Sequence, residues 1–173
     1  MPPPSVAKKA KKDTPSPVGA HPFLTPRQER VAEAVLRLIS RLNVSLFRLS
    51  RGRMGGRWLR GAPVLLLTTI GRKSGQRRTA PVLYLDDPPD LVVVASKGGM
   101  RRHPLWYRNL EANPHVEVEL PGERRRMRAR LATEEEKSRL WPRLVEMYPD
   151  FQAYQDRTRR RIPVVVLSPQ ELG

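Results

Sequence analysis

The chain is 173 residues long, enough for one domain with a core plus appendages, and it carries 33 Lys/Arg against 17 Asp/Glu, a formal charge of +16. That excess attracts polyanions (nucleic acid, anionic lipid, phosphorylated ligands) and does not bear on fold. With no cysteine the sequence excludes disulfides, thiolate metal sites and cysteine nucleophiles, and with no run of about 18 apolar residues it offers no bilayer-spanning helix.

The charge is uneven: residues 1–61 hold 13 Lys/Arg against 3 Asp/Glu, and residues 62–173 hold 20 against 14. Residues 1–26 are rich in Pro, Lys, Ala and Ser and bury too little apolar surface to offset chain entropy, so a disordered basic tail is expected. No apolar run follows its lysines, so no secretory signal is expected, and the lack of cysteine fits a cytoplasmic location. Thr25-Pro26 reads as an N-cap and a first-turn proline. Val31, Val35, Leu38, Leu42, Leu46 and Leu49 then recur at spacings of 4, 3, 4, 4 and 3, the stripe of a helix decorated by Arg27, Arg30, Arg37, Arg41 and Arg48. Two readings stand for this helix: it docks on its own domain, or it lies on an anionic membrane surface through residues 1–50, peripheral on the inner face of the plasma membrane. The expected organisation is a tail over 1–26, an amphipathic helix and linker over 27–60, and a folded domain over 61–173.

From Pro63 the character changes. Residues 64–70, 79–86 and 91–96 are β-rich runs of strand length, with Asp86-Asp87-Pro88-Pro89-Asp90 turning the second into the third. Residues 104–113 read as a short helix closed by Asn113-Pro114. Residues 115–120 and 124–131 alternate as strands around Pro121-Gly122, the second placing Met127, Ala129 and Leu131 inward and Arg124, Arg126, Arg128 and Arg130 outward. Thr133 with Glu136 is a capping box that opens a helix to about Met147, a second helical piece is expected over 148–160, and 163–167 (PVVVL) is a final buried strand. Six strands and few helices make an α+β domain with a mostly antiparallel sheet, because connections as short as 121–122 cannot carry a parallel crossover. Strands this short and this buried close most easily as a small barrel.

Two loops follow strands and resemble each other. The first, GRKSGQRR at 71–78, holds Arg72, Lys73, Arg77 and Arg78 with Ser74 and two glycines; the second, beginning SKGGMRR at 96–102, holds Lys97, Arg101 and Arg102 with Ser96 and two glycines. Glycines let backbone N–H groups approach an anion, and arginine grips phosphate bidentately where lysine acts as a point charge. Neither loop is a Walker A or GxGxxG motif, so an anion site and a solvated basic turn both remain open. His21, His103 and His115 share no ligand spacing, so no metal is expected, and no Ser-His-acid grouping is evident. Asn43-Val44-Ser45 matches a glycosylation triplet but falls within a helix, so it is read as chance. Trp106, Tyr107, Trp141, Tyr148, Phe151 and Tyr154 lie in the helical pieces; the last three, 3 residues apart, share a helix face suited to a pocket wall for a flat conjugated ligand.

Four stretches carry a resemblance: GAPVLLLTTIGRKSGQRRTAPVLYL, VVVASKGGMRRHPLWYRNLEANPHVEVEL, LWPRLVEMYPDFQAYQDRT and RIPVVVL. Together they resemble the deazaflavin-dependent nitroreductase family, which includes F420H2-dependent quinone reductases. The resemblance implies a split β-barrel similar to FMN-binding barrels, with reduced coenzyme F420 as hydride donor. It implies that the GRKSG-type loop grips the coenzyme's phosphate and acidic tail, through Lys73 and Arg78 with Arg72 and Ser74 beside them. Pro81, Ala95, Ser96, Lys97, Leu105 and Trp106 would flank the deazaflavin, and Tyr148 and Tyr154 would line the substrate side. Relatives often have Tyr where this chain has Phe151, which bears on substrates that need that hydroxyl. The expected reaction moves a hydride to a quinone (menaquinone-like), a nitroaromatic or an enone, with Ser96, Tyr148 and Tyr154 as catalytic candidates that hydrogen-bond the developing oxyanion.

Two alternatives stand beside this one: an FMN-binding (or haem-binding) split-barrel protein, and a non-catalytic basic protein that binds nucleic acid or membrane. No nucleic-acid motif appears, so no specific nucleic-acid partner is expected. A homodimer is compatible with this kind of barrel.

Overall fold

The structure, a computed structural model, describes residues 44–45, 47–50, 56 and 61–170. The expected tail over 1–26 and most of the helix and linker over 27–60 lie outside the described residues. Six strands follow: β1 (Val64–Ile70), β2 (Arg77–Asp87), β3 (Asp90–Val94), β4 (His115–Leu120), β5 (Glu123–Leu131) and β6 (Val164–Pro169). A 3-10 turn spans Lys97–Gly99, and three helices intervene: α1 (Leu105–Ala112), α2 (Glu134–Met147) and α3 (Asp150–Arg157).

The strands close into a barrel in the order β1-β2-β3-β6-β5-β4, with every neighbouring pair antiparallel. The α+β split-barrel expectation is therefore met. Alternation assigns the two faces of each strand. Leu65 and Leu67 of β1, Leu91 and Val93 of β3, Val116 and Val118 of β4, Met127 and Ala129 of β5, and Val165 and Leu167 of β6 fill the barrel interior. Val92, Val94, Val164 and Val166 point the other way, into a second apolar layer with Leu140 and Leu144 of α2, Tyr148, and Phe151 of α3. β3 and β6 are thus buried on both faces, which is why they read as unbroken valine runs. The capping box forms as expected: Glu136 N–H donates to Thr133 Oγ1 (3.2 Å), and Thr133 N–H donates to a Glu136 carboxylate oxygen (2.9 Å).

Several expectations shift. β2 begins at Arg77, so Arg77 and Arg78 belong to a strand rather than to the loop. Leu131 has inward parity but sits at the last position of β5 and is 59% exposed. Tyr148 caps the end of α2 rather than opening the next helix, so Tyr148, Phe151 and Tyr154 do not share one helix face.

At the N-terminal side, Phe47 is buried while Leu49, on the same turn, is 87% exposed. Arg48 reaches across to Glu119 of β4, donating from Nε (3.2 Å) and Nη2 (2.5 Å). The described end of the amphipathic segment is therefore docked on the barrel. Glu119 pairs in register with Leu66, whose side of β1 (Val64, Leu66, Thr68) is fully buried.

Candidate cofactor and acceptor site

β1 and β3 both run antiparallel to β2, so they run parallel to each other and end at the same mouth of the barrel. Loop 71–76 and loop 95–103 thus leave from the same end but at different levels, β1 ending opposite Arg77 of β2 and β3 near Tyr84, and Arg72 of the first and His103 of the second line one groove along α1. Loop 71–76 is a tight turn in which the N–H groups of Ser74 (3.1 Å) and Gly75 (2.7 Å) donate to the Gly71 carbonyl, and Gly71 N–H donates to Gln76 O (2.8 Å). A Cβ at Gly71 would lie 2.8 Å from Ser74 Oγ and 3.2 Å from Gln76 O, so a larger residue would make the hydroxyl rotate away and the turn give slightly.

The loop's charges are not equivalent. Arg77 is spent on Glu117 of β4 (2.9 Å). Arg78 is held by Gln76, accepting no counter-charge: its Nη2 donates to Gln76 Oε1 (2.8 Å). Among the described residues Arg72, Lys73 and Arg78 make no ion pair, and all three side chains are exposed. Two such cations on a compact turn and a third at the start of β2 suit a phosphate-bearing, acidic ligand.

Asn109 of α1 orients the loop. It is buried, accepts from Arg72 N–H at Oδ1 (3.3 Å), and donates from Nδ2 to the buried hydroxyl of Thr69 (3.0 Å). Sequence reasoning missed it, because its partners lie 37 and 40 positions away in the chain.

Loop 95–103 is built differently. Ser96 is right-handed (φ −72°, ψ −46°) and Lys97 follows with a positive φ of 48°, a succession that turns consecutive backbone N–H groups toward one side. Ala95 is buried, and its N–H donates to Pro163 O (2.9 Å). The Ser96 hydroxyl has no hydrogen-bond partner among the described residues. Leu105 opens α1 with 63% of its surface exposed, while Trp106 packs on the barrel interior and meets Tyr107 edge-on (6.2 Å, 82°). Pro81 is half-buried in β2, opposite Leu66. An exposed leucine, an indole and a free hydroxyl around one loop suit a flat ring with few polar atoms.

Tyr148 and Tyr154 do come together: their hydroxyls lie 3.4 Å apart and their rings 6.3 Å apart. Burial, the bond to Tyr154 and the bond to Asp150 push the Tyr148 phenol far above its ordinary value, so it stays protonated. Phe151 is buried against Tyr148 (5.1 Å) in the second apolar layer, so it serves packing and not the pocket wall. Gly99 fixes this group to the second loop. A Cβ there would stand 2.8 Å from the Tyr154 carbonyl oxygen, so loop and α3 meet backbone to backbone.

An open groove of about 470 Å³ runs between the two loops, lined by Arg72, His103, Arg108, Glu111 and Ala112. Burial first, then the charges of Arg160 and Arg108, hold the His103 imidazole below its ordinary value and neutral. Ser96, Tyr148 and Tyr154 are not among the groove's lining residues. Among the described residues no cluster of His, Cys, Asp or Glu could hold a metal ion, and no helix is long and apolar enough to cross a membrane.

The closed barrel and its cationic mouth are those of a split-barrel oxidoreductase that takes an anionic ring cofactor. The chain belongs to the F420H(2)-dependent quinone reductase family, whose model matches residues 39–169. F420H(2)-dependent quinone reductase Rv1261c of Mycobacterium tuberculosis is 40% identical over 131 residues, covering 74% of this chain and 88% of that protein. A solved F420-H2 dependent reductase, FDR-A, superposes with a TM-score of 0.58 at 39% identity, covering 61% of this chain and 94% of its own. A second solved structure, a domain-swapped dimer, gives a TM-score of 0.59 at 32% identity, covering 82% of this chain and 99% of its own. The chain is an F420H2-dependent oxidoreductase, and coenzyme F420 is its cofactor.

Proposed function

We propose that the mouth of the barrel holds the coenzyme and the acceptor as two adjoining halves of one site. Arg72, Lys73, Ser74 and Arg78 bind the phosphate and acidic tail, and the loop cations that carry no ion pair are the observation on which this rests. Pro81, Ala95, Ser96, Lys97, Leu105 and Trp106 flank the ring. When bound in reduced form, the coenzyme supplies a hydride.

The residues of this chain do the rest. Ser96 offers a hydroxyl with no partner among the described residues, and Tyr148, at the end of α2, and Tyr154, on the helix packed against the same loop, offer a pair of adjoining phenols. Hydrogen bonds from these groups would stabilise negative charge growing on a carbonyl or nitro oxygen. A quinone, menaquinone-like, fits best, with nitroaromatics and enones as further acceptors. Tyr148, kept protonated by its surroundings, serves as a hydrogen-bond donor to the reduced oxygen, and a water can supply the proton.

The deciding experiment titrates purified protein with F420 and FMN at one salt concentration, then follows reduction of a soluble naphthoquinone. Saturable F420 binding, weakened by Lys73→Ala, and a kcat/KM lowered by Ser96→Ala or Tyr148→Phe support the assignment. Tight FMN binding with none for F420 would move the cofactor half to a flavin. A kcat/KM unchanged in both the serine and the tyrosine variant would remove the acceptor half.

The N-terminal 50 residues have a part in this reading. Docked Phe47 and exposed Leu49 give the segment two faces, one on the barrel and one on the outside. The outward face, with the basic residues before it, suits peripheral contact with an anionic membrane, where a lipid-soluble quinone resides. Salt-sensitive binding to anionic liposomes that survives deletion of residues 1–50 would refute this. Homodimerisation, the state of one solved relative, is checked by light scattering.

A further inference from the structure

One guanidinium gathers the whole second loop. Arg160 lies just beyond α3 and points back into the barrel mouth. Its Nε donates to Met100 O (2.8 Å), Nη1 to Ala95 O (3.1 Å), and Nη2 to Ser96 O (2.5 Å). Nη1 also donates to His103 Nδ1 (3.2 Å). The acceptors lie on both sides of the Lys97–Gly99 turn, so the planar fork closes the loop like a staple across its base.

Among the described residues Arg160 makes no ion pair, and burial lowers its pKa. A half-buried cation set against carbonyl dipoles alone is costly to desolvate, and surface packing does not require it. Its sequence neighbours show the contrast: Arg161 sits at the surface on Glu134 (3.1 Å), and Arg159 is exposed.

We propose that Arg160 is a positioning residue of the oxidoreductase. It sets the 95–103 loop against the cofactor ring. Because it extends from the end of α3, it also fixes the spacing between Ser96 and the Tyr148–Tyr154 pair. Gly99 supplies the second tie, against the Tyr154 backbone. The guanidinium has no lone pair to offer His103, so Nδ1 accepts, the imidazole proton resides on Nε2, and the ring's donor is free for the groove. A lysine could not reproduce this, since one ammonium cannot span three carbonyls and an imidazole. The proposal rests on the assignment of residues 95–97 to the cofactor ring.

The test uses full-length protein with Arg160→Ala, Arg160→Lys, Lys97→Ala and Arg161→Ala, the last removing the same charge from an exposed pair. F420 affinity is read by fluorescence titration, and folding by thermal melting. Both Arg160 variants are expected to weaken F420 binding by about tenfold or more, with Arg161→Ala within about twofold of the parent. Millimolar guanidinium should restore binding to Arg160→Ala and not to Lys73→Ala. If Arg160→Ala melts too low to assay, Arg160→Lys carries the comparison. In ¹⁵N-histidine spectra the parent His103 should show the Nε2–H tautomer. In Arg160→Lys that preference should be lost, with Arg72, Arg108 and Glu111 left as the charges around the ring.

Binding within about twofold of the parent in both folded Arg160 variants would overturn the proposal. So would an equal loss in Arg161→Ala, which would make the effect one of net charge. A loss in Lys97→Ala with none in Arg160→Lys would refute the positioning role and leave the site standing. No loss in either would refute the assignment of the loop itself.

Discussion

Arg48 donates two hydrogen bonds to the carboxylate of Glu119, a residue 71 positions further along the chain. Arg124 adds a third contact to the same carboxylate (3.2 Å). Burial pushes the Glu119 carboxyl up, but the bond from Arg48 and the charges of Arg48 and Arg124 overcome this and leave it below the usual carboxylate range. A folded-state value below the unfolded one contributes stability that is complete above the ordinary carboxylate pKa and is lost as pH falls through the lower folded value. Glu119→Gln should therefore cost about 1–2 kcal/mol at neutral pH, because the two arginines stay solvated, and should flatten the acid limb of stability. Denaturant unfolding between neutral pH and pH about 3 checks both. Equal acid limbs in parent and variant would count against the latch.

Lys73 and Arg77 are four residues apart, yet removing them should have different effects. Lys73→Ala should weaken F420 about tenfold, the value of one charge-assisted bond, and should reduce the salt sensitivity of binding. Arg77→Ala should change affinity much less, because its guanidinium already faces Glu117. Titration of both variants at two ionic strengths separates them, and equal losses would show that overall charge governs binding.

Gly98 and Gly99 both have positive φ, 62° and 75°, but only Gly99 is hemmed in by backbone. Gly98→Ala should cost about 1 kcal/mol through conformation alone. Gly99→Ala adds a Cβ 2.8 Å from Tyr154 O; its cost should exceed about 2 kcal/mol, and the KM for the quinone should rise with it. Melting curves beside steady-state kinetics make the comparison.

Asn109→Ala leaves the Thr69 hydroxyl and the Arg72 N–H without their side-chain partner. The expected cost is about 1–3 kcal/mol, with weaker F420 binding as loop 71–76 loosens. Unchanged affinity in a destabilised protein would confine Asn109 to a structural role.

The barrel was legible because its signals are local. Alternation at 115–131, the valine runs at 91–94 and 164–167 and the Thr133–Glu136 pair each announce their own structure. The cationic loop was equally plain. What escaped depends on contacts between distant segments. No rule of composition separates Arg160 from Arg159 and Arg161, and only the folded chain shows which of the three turns inward. Asn109 reads as one more polar residue in a short helix until Thr69 and Arg72 arrive from β1 and the loop after it. Phe151 failed the other way: the 3-residue spacing was real, but Tyr148 belongs to the preceding helix end, so the spacing did not define a face. Leu131 kept its parity but ran past the edge of the core.

The seam between β1 and β4 is the shortest in the barrel, pairing only Leu66 with Glu119, Leu67 with Val118 and Thr68 with Glu117. Two of those β4 residues are the acids clasped by arginines from elsewhere, Glu117 by Arg77 and Glu119 by Arg48. The seam thus behaves as a hasp: short in backbone bonds, fastened from outside by charge. Were it to open, β1 and β4 would be presented at once as two bare edges, and the apolar run at 64–67 of β1 would be open to pairing with another molecule. The same two ion pairs that close the cylinder therefore guard the protein against aggregation, and high salt should speed amide exchange first along β1 and β4.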